Sequence, residues 1–244
     1  YWGVDRLYHL ENRLSELSAD KQPNTPQLAP RPDTVHGPLK DNRSLTLEFF
    51  PTLRSPYTAI IFDRVVEMAE QTGVKLVLRP VLPMVMRGVP TTKPKGHYIY
   101  WDAGREARAA NVPYGKLYDP IGEPVRNCYS LFSWANEQGK GAALFSAFFK
   151  CAFTQAINTN NKRGMRKVIE LAGLDWQEAS LRMGDPAWEE ILENNRLALY
   201  NSGIWGTPSF RLLDKHGKEI FAHWGQDRLW LVARQIQDQL ASLQ

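Results

Sequence analysis

The sequence has too few cysteines for the chemistry that cysteine clusters provide. Only two of its 244 residues are cysteines, Cys128 and Cys151, and they lie far apart, so a Cys-x-x-Cys pair and a cysteine-built zinc site are excluded. The five histidines are scattered without the spacing of metal ligands. We therefore predict no metal site, and such cysteine usage fits the reducing cytoplasm.

Long hydrophobic runs and an excess of one charge are also missing. The longest apolar stretches, such as 142–149, are much shorter than the roughly 20 residues that cross a bilayer. The 30 basic and 26 acidic residues are interleaved, and no basic cluster or nucleic-acid motif appears. With 43% hydrophobic and 23% charged residues, the composition predicts a globular protein that binds neither membrane nor nucleic acid.

One short segment occurs twice. Tyr1-Trp-Gly-Val-Asp-Arg-Leu7 is similar to His223-Trp-Gly-Gln-Asp-Arg-Leu229, and each copy precedes a stretch with helical apolar spacing. A chance match is the alternative to a true repeat. If the repeat is real, residues 1–18 are the terminal helix of a preceding copy and the chain is the second half of a tandem protein. Residues 19–43 contain five prolines and predict an extended linker.

The rest of the chain predicts an α/β domain interrupted by helices. A strand at 44–50, a helix from Ser55-Pro56 to Gly73 and a strand at 74–80 form a βαβ unit with parallel strands. Helical patterns cover 95–110, 123–137, 139–156, 162–172 and 186–202. An antiparallel hairpin at 209–223 and a helix from Asp227 to Leu240 follow. This order predicts a thioredoxin-like domain at 44–94 and 203–244, with an all-helical insertion at 95–202.

Three segments carry a resemblance to a known family. They are Phe49 through Ser55-Pro-Tyr-Thr58, Gly203-Ile-Trp-Gly-Thr-Pro-Ser-Phe210 and Trp224-Gly-Gln-Asp-Arg-Leu229. In this order the chain resembles the DsbA-like branch of the thioredoxin superfamily, and especially 2-hydroxychromene-2-carboxylate isomerases and kappa-class glutathione transferases. The resemblance implies that glutathione is the cofactor.

Ser55 stands where disulfide oxidoreductases of this fold have their first cysteine. Because Ser55-Pro-Tyr-Thr58 contains no sulfur, dithiol exchange is excluded there. The resemblance implies that the Ser55 hydroxyl supports the thiolate of bound glutathione. Arg54 should add a positive charge beside that thiolate, and we assign Tyr57 to the same cofactor site. A helix N-terminus also favours a thiolate. The alternative is that Ser55 only caps the helix.

Two further positions follow from the resemblance at the third strand. It implies a cis Thr207-Pro208 bond that leaves Thr207 free to bind the cysteinyl part of glutathione. A trans proline on an edge strand is the alternative. Trp205 is either a wall of the pocket or an ordinary buried tryptophan.

Candidate partners for the two ends of glutathione lie in other segments. The resemblance assigns the γ-glutamyl end to Gln226 and Asp227, although Asp227 could be a helix cap alone. Kappa-like relatives bind the glycine carboxylate with a lysine after the second strand, whereas Arg87 is the cation here.

These residues are compatible with two functions. The first is a glutathione-dependent isomerase or transferase that acts on an electrophilic aromatic or conjugated small molecule, with Ser55 as catalytic residue. The second is a non-catalytic thioredoxin-like binding module of a tandem protein. Both a homodimer and a tandem pseudo-dimer are compatible with the sequence, which does not define the oligomeric state.

Overall fold

A four-stranded mixed sheet forms the centre of the protein. The computed structural model describes residues 1–242, so the last two residues of the predicted 203–244 portion lie outside the described residues. The strands are β1 (Thr46–Phe50), β2 (Lys75–Leu78), β3 (Ser209–Leu213) and β4 (Glu219–Trp224). Their order is β2-β1-β3-β4, with β1 parallel to β2 and antiparallel to β3, and β3 antiparallel to β4. The predicted parallel βαβ unit and hairpin are thus confirmed.

Ten α-helices surround this sheet in the described part of the chain. They are α1 (Leu7–Glu16), α2 (Pro56–Thr72), α3 (Lys93–Ala109), α4 (Glu123–Ser130), α5 (Phe132–Glu137), α6 (Gly141–Phe153), α7 (Lys162–Leu171), α8 (Trp176–Arg182), α9 (Trp188–Asn201) and α10 (Leu229–Ser242). Short 3-10 turns at Val4–Arg6, Met84–Arg87 and Gln226–Arg228 complete the set.

Helix α2 has clear start and stop signals. The Ser55 side chain accepts a hydrogen bond from the Thr58 amide, and Pro56 occupies the first helical position, where no amide donor is needed. Gly73 ends the helix in the left-handed region at φ 77°, and a Cβ there would lie 2.3 Å from the Asp41 carbonyl oxygen. These signals fix both ends of α2, which begins after the short loop that follows β1.

The two faces of β1 carry different side chains. Leu47 and Phe49 are fully buried, and Phe49 stacks on Phe210 of β3 at a ring distance of 5.3 Å. Glu48 points to the opposite face and is also buried, with Arg79 at 2.6 Å and Arg211 as its second ion-pair partner. The negative charge of Glu48 is therefore buried on this face, where the guanidinium groups of Arg79 and Arg211 compensate it.

The helical insertion differs from prediction in two places. The helix predicted at 123–137 breaks at Leu131 into α4 and α5, and α8 was not predicted. Asp175 caps α8 by accepting a hydrogen bond from the Glu178 amide at 2.8 Å. The central helix α6 is apolar almost all round and buries Phe145, Phe148 and Phe149.

The predicted linker lies along the domain. It forms no helix or strand, but the Asp41 amide donates to the Thr72 carbonyl at 2.7 Å. The Gln237 side chain of α10 accepts from the Leu39 amide and donates to the Leu39 carbonyl. The later part of the linker 19–43 is therefore held against α2 and α10. No helix of the described residues has the length and apolar character to cross a membrane.

Candidate functional site

The first strand and the third strand bring the two predicted halves of the site to one sheet edge. Phe50, the last residue of β1, pairs with Ser209, the first residue of β3. The loop to Ser55 and the Thr207-Pro208 bond therefore leave the sheet at the same edge. The Thr207-Pro208 peptide bond is cis, as predicted. Open α/β sheets bind ligands at the carboxyl ends of their strands, and β1 ends here.

Ser55 presents a hydroxyl at the start of α2. It is half-buried, and its oxygen accepts from the Thr58 amide at 3.2 Å. Among residues 1–242 the hydroxyl donates to no acceptor, so its proton is available to a ligand. The capping role and the binding role are therefore compatible, because they use different parts of the same group.

No thiol of the described residues lies at this position. Thr58 takes the place of the second cysteine, and its buried hydroxyl oxygen has no hydrogen-bond partner among residues 1–242. Cys128 and Cys151 are free and fully buried in α4 and α6. Burial raises the pKa of both thiols. They therefore behave as small buried hydrophobic residues.

Arg54 is not a free cation beside Ser55. Its guanidinium forms two hydrogen bonds with the Asp119 carboxylate, at 2.8 and 2.7 Å. This bidentate geometry neutralises much of the charge that the sequence suggested for a thiolate. The helix N-terminus and the Ser55 hydroxyl are the remaining features of the predicted sulfur site.

Two exposed tryptophans lie beside the cis bond. Trp205 is 56% exposed and Trp224 is 55% exposed, and their rings stack at 6.2 Å. The Gly225 amide donates to the Pro208 carbonyl at 3.0 Å, which joins this pair to the start of the last helix. Trp205 is therefore a surface aromatic residue, and the alternative of a buried core tryptophan is wrong.

Arg87 lies in the 3-10 turn after β2. Its guanidinium donates to the Leu82 carbonyl at 3.0 Å and to the Tyr200 hydroxyl at 3.1 Å. The hydrogen bond from Arg87 lowers the pKa of Tyr200. Among residues 1–242, Arg87 has no carboxylate within ion-pair distance, so it keeps its capacity to bind one.

The predicted γ-glutamyl partners contact the N-terminal segment. Gln226 is buried and donates to Glu106 at 2.8 Å, and its side-chain oxygen has no partner among residues 1–242. Asp227 has Arg6 at 3.4 Å and Arg228 at 3.6 Å. Burial and the neighbouring Asp5 carboxylate raise the pKa of Asp227, against the effect of the two arginines.

Arg6 belongs to a buried ionic cluster that sequence reasoning missed. It contacts Asp102 at 2.8 Å and Glu106 at 3.5 Å, both on α3 and both almost fully buried. Tyr57, predicted to bind the cofactor, donates to Asp102 at 2.8 Å. Its hydroxyl is thus bound to this cluster, and burial followed by the Asp102 charge raises the pKa of Tyr57.

Glu106 is the second buried carboxylate that Arg6 contacts. Burial alone would raise its pKa, but hydrogen bonds from His9, Tyr8 and Gln226 and the charge of Arg6 lower the pKa to about 2. Residues of α1, α3 and the start of α10 therefore meet at one ionised group. No motif or periodicity of the sequence signals this contact, since Tyr8 and Glu106 lie 98 positions apart.

The sheet order, the cis proline at the start of β3 and the helices between β2 and β3 define a thioredoxin-like fold with a helical insertion. The family described as DSBA-like thioredoxin domain matches residues 46–237. The chain belongs to this family. No curated protein matches the chain in sequence.

Solved structures show the same fold at low identity. A 2-hydroxychromene-2-carboxylate isomerase superposes with a TM-score of 0.63 and 19% identity, over 82% of this chain and 99% of that one. A probable DsbA oxidoreductase from Streptomyces coelicolor has a TM-score of 0.58 and 18% identity, over 80% and 91%. The cytosolic disulfide reductase DsbM from Pseudomonas aeruginosa has a TM-score of 0.60 and 16% identity, over 81% and 98%, and was also solved with GSH.

Proposed function

We propose that this protein is a glutathione-dependent isomerase or transferase that acts on an electrophilic, aromatic or conjugated small molecule. The observation that carries the proposal is the Ser55 hydroxyl, which caps α2 at the sheet edge of the cis Thr207-Pro208 bond and keeps its proton free for a ligand. The described site offers no thiol of its own, so the nucleophilic sulfur comes from the cofactor.

The start of α2 favours the ionised form of that sulfur. The helix N-terminus carries about half a positive charge, and the Ser55 hydroxyl donates to the sulfur while its oxygen still accepts from Thr58. Lowering a thiol pKa by about two units needs about 2.7 kcal/mol of preferential binding of the thiolate. The helix end and one hydrogen bond to a charged group together have this magnitude.

The thiolate then acts as a nucleophile. It adds to a carbon of a conjugated double bond, and the electron pair of that bond moves onto the conjugated acceptor. The former double bond is now single and rotates. Return of the electron pair expels the thiolate, so isomerisation consumes no glutathione. A transferase keeps the carbon–sulfur bond and protonates the acceptor.

The remaining contacts position the tripeptide. The backbone of Thr207 pairs with the cysteinyl residue as an added strand, and Arg87 binds the glycine carboxylate. Trp205 provides an exposed aromatic wall. Gln226 and Asp227 receive the γ-glutamyl end after Arg6 gives up part of its contact with Asp227. The structure of DsbM with GSH supports glutathione as a ligand of this fold.

A second candidate is a non-catalytic thioredoxin-like binding module, and one observation favours it. Arg6 already provides a cation to Asp227, the group assigned to the ammonium of glutathione. In a module that has lost glutathione binding, this ion pair would be permanent and the N-terminal segment would close that end of the site.

Calorimetry with reduced glutathione separates the two candidates. The first predicts binding heat and an increased melting temperature at millimolar glutathione. Ser55→Ala should weaken binding, whereas Asn161→Ala removes a similar helix cap, on α7, and should leave binding unchanged. Absence of heat and of thermal stabilisation in the unmodified protein would contradict the proposal and favour the binding module.

A further inference from the structure

The two similar segments have the same local structure. Each begins with a glycine at positive φ, 88° at Gly3 and 115° at Gly225. A three-residue 3-10 turn follows in both, and α1 and α10 then begin at Leu7 and Leu229. A constant offset of 222 residues therefore relates the segments in structure as well as in sequence.

The two segments also bind each other reciprocally. Asp5 lies 2.5 Å from Arg228, and Arg6 lies 3.4 Å from Asp227. Because Asp5 is equivalent to Asp227 and Arg6 to Arg228, each Asp-Arg pair contacts the other in the same way. Such reciprocal contacts are the mark of a two-fold interface between like elements.

Equivalent positions of the two segments also line one cavity. Its volume is about 170 Å³, and Val4, Asp5 and Tyr8 line one side. Gln226, Asp227 and Trp230, the equivalents of these residues, line the other side. Seven further lining residues come from the linker, α2 and α3, so only the part of the lining that the two segments provide is matched in this way.

The apolar face of α1 is uncovered where that of α10 is buried. Leu7, Leu10 and Leu14 are 41%, 38% and 39% exposed. Their equivalents Leu229, Val232 and Ile236 are 2%, 0% and 0% exposed, because they pack into the core of the domain. The other two residues that α10 buries, Ala233 and Leu240, correspond to Glu11 and Ser18.

We infer that α1 is the last helix of a second DsbA-like domain, whose core covers Leu7, Leu10 and Leu14. The second domain packs on the present one about the local two-fold axis marked by the two reciprocal Asp-Arg pairs. Tyr8 packs one side of α1 against Glu106, whereas Leu7, Leu10 and Leu14 form a stripe at helical spacing that remains about 40% exposed among the described residues. The register with α10 identifies the partner as a domain of this same fold.

The test uses the intact gene product that contains these residues, with the 244-residue chain for comparison. Hydrogen exchange of the α1 amides should be slower in the intact product, because a domain core covers the helix there. The intact product should show two unfolding transitions. The triple variant Leu7→Gln/Leu10→Gln/Leu14→Gln should abolish one transition and leave the other unchanged.

The same triple variant in the 244-residue chain should leave the melting temperature unchanged. Leu197→Gln, at a position 45% exposed on α9, is the matched control and should affect neither protein. A single transition in the intact product, or equally fast exchange of α1 in both proteins, would overturn the inference. It would also be overturned if the 244-residue chain were a dimer in light scattering that the triple variant dissociates, because a second copy would then cover the leucines.

Discussion

The guanidinium of Arg6 lies 3.4 Å from the carboxylate of Asp227, across 221 positions of sequence. Arg6 also contacts Asp102 and Glu106, so one side chain from the N-terminal segment joins α3 to the start of α10. The side chain is only 8% exposed. Removal of one partner from a buried ion pair is costly, because the remaining charge stays buried without compensation.

Arg6→Ala should therefore destabilise the fold strongly. We expect a loss of about 3 to 5 kcal/mol in the free energy of unfolding, measured by denaturant titration. Arg13→Ala on the following helix α1 is the control, because Arg13 pairs with Glu16 on the surface, where both side chains are more than half exposed. The control should cost at most about 1 kcal/mol. Equal losses in both variants would show that the cluster does not stabilise the fold.

The low pKa of Glu106 predicts that the folded protein loses stability in acid. Its folded pKa of about 2 lies below the ordinary 4.5, so the unfolded chain binds the proton more readily. The stabilisation is complete above about pH 4.5 and is lost as the pH falls toward 2. Its size is on the order of 3 kcal/mol.

Glu106→Gln tests this acid sensitivity directly. The variant should be less stable at pH 7 and should lose less stability between pH 4.5 and 2 than the unmodified protein, in denaturant titrations at each pH. Identical pH profiles for both proteins would assign the acid sensitivity to other carboxylates.

Removal of the buried Glu48 carboxylate from the sheet should also destabilise the fold. Glu48→Gln leaves Arg79 and Arg211 without their shared carboxylate, and Glu48 is almost fully buried. We expect a loss of about 3 to 5 kcal/mol. Glu193→Gln, which affects a surface pair with Arg196, should leave the unfolding free energy nearly unchanged. A neutral Glu48→Gln variant would refute this role.

The two cysteine thiols should be unreactive in the folded protein. Both Cys128 and Cys151 are fully buried, and burial raises their pKa, so few thiolates are available. A thiol reagent should label two cysteines rapidly in denaturant and neither of them rapidly in the native protein. An insulin-reduction assay should show no activity. Fast native labelling or insulin reduction would contradict the assignment of the sulfur to an external cofactor.

Local signals made much of the fold predictable. The Ser55-Pro56 start and Gly73 end of α2, flanked by two apolar strands, indicated the βαβ unit before any contact was known. The cis Thr207-Pro208 bond followed from the resemblance and is confirmed. Helix α8 was missed because it is only seven residues long, although Asp175 gave a capping signal.

Long-range ion pairs were not predictable from the sequence. The pairing of Arg54 with Asp119 joins residues 65 positions apart, and that of Arg6 with Asp102 joins residues 96 apart. Nothing in the periodicity of a segment indicates which distant charge it meets. The charge expected beside Ser55 was therefore counted as free, and the Arg6 cluster was overlooked.

The most direct test measures the thiol pKa of glutathione bound to the protein, by thiolate absorbance across a pH titration. We predict that this pKa falls from about 8.5 to about 6.5 in the unmodified protein and rises back toward 8.5 in Ser55→Ala. A bound thiol that titrates at its ordinary pKa, or at the same pKa in both proteins, would contradict the role of Ser55.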